Sequence, residues 1–207
     1  IQKKLTMAFQ FDEALAWSTF DHLVSGLISE EGQATRSGLG EVRRGGEVIE
    51  KSRRTIEHAI NGPVGQVMEG LLNTLNSLKL KQGVGIPEEL KFRIEHLTSA
   101  PGEGEDHAVA VLTRQICWLH YLDPEWVKER VIPWFSFEHN LSEPAWNGYL
   151  SAAKLPPYEI GVLLKPLVLK LFPRIYQWSW AQHFSTVAAQ IVVELSIFRS
   201  GKQDGLN

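Results

Sequence analysis

Cys117 and His120 stand three residues apart in the run CWLHYL, a spacing that puts both on one face of a helix and would suit a thiolate with a base beside it. The neighbouring residues are apolar, and such a setting raises a thiol's pKa and leaves it inert, so Cys117 is expected to be core. Glu103, Glu105, Asp106 and His107 offer ligand types for a divalent ion. They lack the 1, 3, 5 and 12 positions of a calcium loop and the H-E-x-x-H of a zinc helix, and a solvated loop is the expectation. His22, His58, His96, His139 and His183 are scattered without metal-ligand spacing. No catalytic, cofactor-binding or metal-binding residue is assigned, and no cofactor is expected in this segment.

Two further groups have binding chemistry. Arg36, Arg43, Arg44, Arg53 and Arg54 form a basic group in an otherwise acidic chain of net charge -3, and they are the candidate contacts for an anionic partner, nucleic acid included. The glycines among them match no phosphate-binding G-x-x-x-x-G-K-[ST]. Trp118, Trp126, Trp134 and Trp146 lie within one stretch that holds four of the seven tryptophans. Lys and Arg do not interleave with them densely, as base stacking along a single strand would want, so they are read as anchors between packed helices, with an exposed partner-binding face as the alternative.

These residues need helices to position them. Ala16, Phe20, Leu23, Val24 and Leu27 recur at three and four residues, predicting an amphipathic helix over 11–29. Residues 30–47, with five glycines and almost no apolar content, predict a flexible loop. The apolar positions from Ile49 through Ile56, Ile60, Val64, Val67, Leu71, Leu75 and Leu78 would mark one long helix, were it not cut at Asn61-Gly62-Pro63. Pro87-Glu88-Glu89 opens a short helix, and Ala108 to Leu122 trace another. Asp123-Pro124 is a helix start, with Asp as N-cap and Pro at the first helical position, and Pro133 ends that helix. Ser142-Glu143-Pro144 gives the next helix a capped start, with Ser142 as the cap; further helical pieces are expected over 156–172, 173–180 and 181–198, the last with Phe184, Ala188, Ile191, Leu195 and Phe198 on its apolar face. No strand is expected anywhere.

The fold class is therefore all-α, either an irregular multi-helix bundle or a HEAT-like stack of helical hairpins, in a single helical domain over 1–207. Hydrophobic residues at 43% and charged residues at 22% suit neither disorder nor a membrane protein. The one cysteine excludes an internal disulfide framework and fits a reducing cytoplasm. The opening residues lack a signal-peptide pattern and enter a helical pattern at once, so a fragment of a longer protein is expected.

Asn61-Gly62-Pro63-Val64-Gly65 before an apolar helix, then Leu122-Asp123-Pro124-Glu125-Trp126, Ile132-Pro133-Trp134-Phe135, Ala145-Trp146-Asn147-Gly148-Tyr149-Leu150 and Leu164-Lys165-Pro166, stand in an order that carries a resemblance. Over Ile56 to Phe172 the chain resembles an uncharacterised helical region found C-terminal to sirtuin-like domains in bacterial phage-defence proteins. The resemblance implies a parent protein whose N-terminal domain consumes NAD, with this segment as a sensing, regulatory or oligomer-forming scaffold. From the residues themselves two functions are expected. One is a non-catalytic scaffold that mediates protein interaction or self-association; the other is a nucleic-acid-binding module built on Arg36 to Arg54.

Overall fold

The computed structural model describes residues 12–29, 34–40, 42–49, 52–174 and 177–203. Its elements are α1 (Glu13–Ser29), a hairpin of β1 (Val42–Arg44) and β2 (Glu47–Ile49), α2 (Ile56–Ile60), α3 (Pro63–Ser77), α4 (Glu88–Leu97), α5 (Gly104–Arg114), α6 (Ile116–Leu122), α7 (Pro124–Trp126), α8 (Ser142–Ser151), α9 (Tyr158–Leu171) and α10 (Ser185–Gln203). The fold is all-α in class, with the hairpin as a small insertion.

That hairpin amends the reading of 30–47 as a flexible loop without strands. Gly45 and Gly46 have φ of 62° and 89°, the left-handed geometry that a two-residue hairpin turn requires, and Val42 pairs with Ile49 across it. Within the same expected loop, Thr35 and Ser37 are buried. Residues 30–33 and 41 lie outside the described residues.

Local signals set most helix boundaries. Asn61-Gly62-Pro63 separates α2 from α3, with Pro63 at the first helical position. Asp123 caps α7: its Oδ1 accepts the Trp126 N–H at 3.1 Å, and its Oδ2 accepts the Ile86 N–H at 3.1 Å and Lys91 Nζ at 2.9 Å. One carboxylate thus joins three segments. Beyond Trp126 the backbone continues as a π-helical turn (Val127–Val131) and a 3-10 turn (Ile132–Phe135), where Pro133 supplies no amide for an α-helical bond.

Three boundary expectations need correction. Ser142 begins α8 but does not cap it, because its buried hydroxyl has no partner in the structure. The described part of 173–180 is not an α-helix: Phe172–Arg174 is a 3-10 turn, residues 175–176 lie outside the described residues, and 177–180 are turns and bends in which Trp178 stacks on Trp180 with ring centroids 5.3 Å apart. On α1, Ala16, Phe20 and Val24 are buried as expected, whereas Leu23 faces solvent. On α10, Ala188 and Ile191 are buried; the Phe198 side chain lies outside the described residues.

The core runs continuously from Phe20 on α1 to Ile191 on α10. Its most extensive helix–helix contact is α5 on α8, where a Cβ added to Gly148 would lie 2.1 Å from the Ala110 carbonyl oxygen. Only glycine permits that approach. Helices α3 and α5 run side by side in the same sense: Val64 reaches Gly104 at their N-terminal ends, and Asn76 and Gln115 meet the same groove at their C-terminal ends.

Candidate functional site: a polar groove between α3 and α5–α6

At the N-terminal end of this helix pair two arginines are paired with two carboxylates, while burial raises the pKa of the neighbouring Glu105. Arg53 donates Nε to Glu103 Oε1 and Nη2 to Oε2 at 3.1 Å, a two-pronged contact, while its remaining donors reach the Leu39 and Ser37 carbonyls at 3.0 Å. Arg54 forks onto Asp106 at 2.9 and 2.7 Å and lies 3.7 Å from Glu143. Thr35 Oγ1 donates to the Pro101 carbonyl at 2.8 Å, and Glu103 also accepts the Ser37 N–H at 2.9 Å. Residues 35–39 and 53–54 are thereby clasped to the start of α5.

Electrostatics agree with that geometry. Burial works against the Glu103 carboxylate, but the hydrogen bonds from Arg53 and Ser37 outweigh it and hold its pKa below the usual value. His107 is fully buried; its Nε2 lies 3.3 Å from the Arg53 carbonyl and its Nδ1 has no protein partner. Desolvation lowers its pKa and that of His58, whose Nδ1 is also without a partner.

This corrects two expectations. The Glu103 to His107 cluster is not a solvated loop but the ion-paired start of a helix. Arg53 and Arg54, named as anion contacts, are engaged by internal carboxylates 50 and 52 residues away in sequence. Arg36 is exposed, and Arg43 and Arg44 stand in β1 with side chains outside the described residues. The five arginines therefore do not act together as one basic surface.

The tryptophans divide. Trp146 is fully buried and donates Nε1 to the Phe135 carbonyl at 3.1 Å, with the Phe135 ring edge-on at 5.0 Å between centroids. Trp126 is buried with Nε1 3.4 Å from Glu95, and Trp134 packs half-buried on the core. Those three are anchors. Trp118 is half-buried and forms a wall of a groove.

Cys117, next to it, points its thiol at the Leu155 carbonyl, 3.9 Å away. Burial pushes the thiol's pKa up, which keeps it protonated, and among the described residues no hydrogen bond joins it to His120. Among the described residues no three His, Cys, Asp or Glu side chains gather as a metal-ligating set.

The groove has a volume of about 510 Å³ and lies between two helical stripes. On α3 the stripe is Glu69, Leu72, Asn73 and Asn76; on α5 and α6 it is Val111, Arg114, Gln115 and Trp118. Each has the i, i+3, i+4, i+7 spacing of a single helix face, the second persisting across the break at Gln115. Lys154, after α8, closes one side.

Among the described residues the Asn73, Asn76 and Gln115 carboxamides make no side-chain hydrogen bond within the protein. By contrast, Asn147 Oδ1 accepts the Ile56 N–H at 2.7 Å. Burial raises the pKa of Glu69, opposed by Arg114 nearby. The polar members of each stripe are visible along the chain, but the groove itself is not, because their meeting depends on how α3 lies against α5.

No helix among the described residues is long and apolar enough to cross a membrane. No family model matches the chain, and neither a curated protein nor a solved structure matches it.

Proposed function

We propose that this chain is a non-catalytic helical scaffold that mediates protein interaction, with the α3/α5–α6 groove as its recognition face. The observation that carries this reading is the unequal use of polar groups. At one end of the helix pair Arg53, Arg54, Glu103 and Asp106 are committed to internal partners, while at the other three carboxamides, two cations, one carboxylate and a tryptophan wall line an open groove. The order of motifs from Asn61 to Pro166 supports the wider setting: a regulatory or sensing segment attached to an N-terminal sirtuin-like, NAD-consuming domain in bacterial antiphage defence, working in the cytoplasm.

The test uses the product of the full reading frame. Charge reversal at Arg114→Glu and Lys154→Glu is expected to abolish its association, measured by sedimentation velocity, while circular dichroism stays unchanged. The isolated segment is expected not to turn over NAD. Turnover by the segment, or assembly unaltered by charge reversal, would overturn the reading.

A further inference from the structure

The groove also points to the chemistry of what it holds. We infer that it binds an extended peptide segment carrying an acidic side chain, an inference that rests on the groove being the recognition face. Hydrogen-bonding geometry favours a peptide backbone. A carboxamide presents one acceptor and two donors in the same plane as a peptide unit, so Asn73, Asn76 and Gln115 can pair with backbone N–H and C=O groups of an extended chain.

The length of the groove suits a short extended segment. Glu69 to Asn76 spans seven residues of α-helix, about 10 Å at 1.5 Å per residue. At about 3.3 Å per residue, the same distance holds three residues of extended peptide. Asn73 and Asn76 are separated by three helical residues, about 4.5 Å, so the two carboxamides fall within reach of neighbouring peptide units.

Charge favours an acidic segment. Arg114 and Lys154 line the groove against one carboxylate, Glu69, which leaves an excess of positive charge there. The groove is thus cationic in a chain of net charge -3. Arg114 and Lys154 are both exposed at its rim, where a carboxylate side chain on the peptide would meet them. Leu72 and Val111 form the buried floor, and the half-buried Trp118 supplies the apolar surface for the rest of the segment.

The experiment is fluorescence anisotropy with a labelled Gly-Ser-Glu-Glu-Val-Ser-Gly peptide, its counterpart with glutamines in place of both glutamates, and its counterpart with lysines. The acidic peptide is expected to bind at least about tenfold more tightly than the glutamine peptide, a difference of roughly 1.4 kcal/mol. Arg114→Ala combined with Lys154→Ala is expected to erase that difference. Asn73→Ala combined with Asn76→Ala is expected to weaken both peptides by a similar factor, with the thermal midpoint unchanged because both residues are exposed.

Absence of binding, or equal binding of all three peptides, overturns the inference. So does competition by inorganic phosphate that depends on Arg114 and Lys154 but not on Asn73 and Asn76, which would describe a simple anion site. Displacement of the peptide by a labelled oligonucleotide at lower concentration would assign the groove to nucleic acid and likewise overturn it. If the peptide fails while charge reversal still abolishes association of the full product, the scaffold reading stands and the peptide inference alone falls.

Discussion

At the N-terminal end of α5, Glu103 and Asp106 each hold a guanidinium, and His107 is sealed beneath Arg53; at the C-terminal end, Arg114 and Gln115 open onto a groove shared with Asn73 and Asn76. The same helix therefore closes one of its ends and leaves the other available. Half-buried charges with two-pronged partners position backbone, because desolvation is offset only while the pairing holds. Exposed carboxamides without internal partners position nothing within the chain, which is why recognition is assigned to them.

The largest expected effect lies in the aromatic core on which both ends rest. Trp146→Ala removes a fully buried indole and its hydrogen bond to the Phe135 carbonyl, and should cost ~3–5 kcal/mol in chemical denaturation. A loss below ~1 kcal/mol would show that the aromatic cluster does not anchor the fold.

Glu103→Gln keeps the shape and removes the charge facing Arg53. Both side chains are about a quarter exposed, at 28% and 23%, so the expected loss is ~1–2 kcal/mol. Faster hydrogen exchange at the Ser37 amide should accompany it, since that N–H donates to Glu103. Unchanged exchange would dissociate residues 35–39 from the clasp.

Acid should open the closed end in two stages. His58 and His107 have pKa values below their usual 6.5, so the unfolded chain takes up protons first, and their stabilising share is lost as pH falls from 6.5 through the folded values. Around His107 lie Glu103, Asp106, Arg53 and His58. Glu103 is also depressed, so its share is present above 4.5 and lost below it; Asp123, lowered by Lys91 and two amides against the effect of burial, loses its share below 3.8. Urea titrations across pH 3–7 should show both limbs, and Glu103→Gln should shrink only the lower one. A flat profile between pH 5 and 6.5 would contradict the burial of both imidazoles in neutral form.

The smallest effect is expected at the open end. Asn73→Ala should change stability by no more than ~0.5 kcal/mol, as surface substitutions do. A larger loss would mean that the carboxamide supports the fold after all.

The features legible along the chain are those that neighbouring residues decide. Asp123-Pro124 states its own helix start, and Asn61-Gly62-Pro63 its own break, because capping and the missing proline amide act within a few residues. The pairing of Arg53 with Glu103 and of Arg54 with Asp106 is invisible there, since nothing local marks a pair 50 residues apart. The hairpin is legible in principle: Gly45-Gly46 is a turn signal, although glycines of this density also suit a loose loop. In the groove, each helical stripe can be traced, but their adjacency arises only from the parallel course of α3 and α5.

The contrast between the two ends is tested most directly by a crossed pair of variants, Arg53→Ala and Arg114→Ala, each measured for thermal unfolding and for anisotropy of the acidic peptide. Arg53→Ala is expected to lower the midpoint while the folded protein keeps its affinity, and Arg114→Ala to keep the midpoint while affinity falls severalfold. Equal destabilisation by both, or a loss of affinity from Arg53→Ala alone, would contradict the assignment of structure to one end of α5 and recognition to the other.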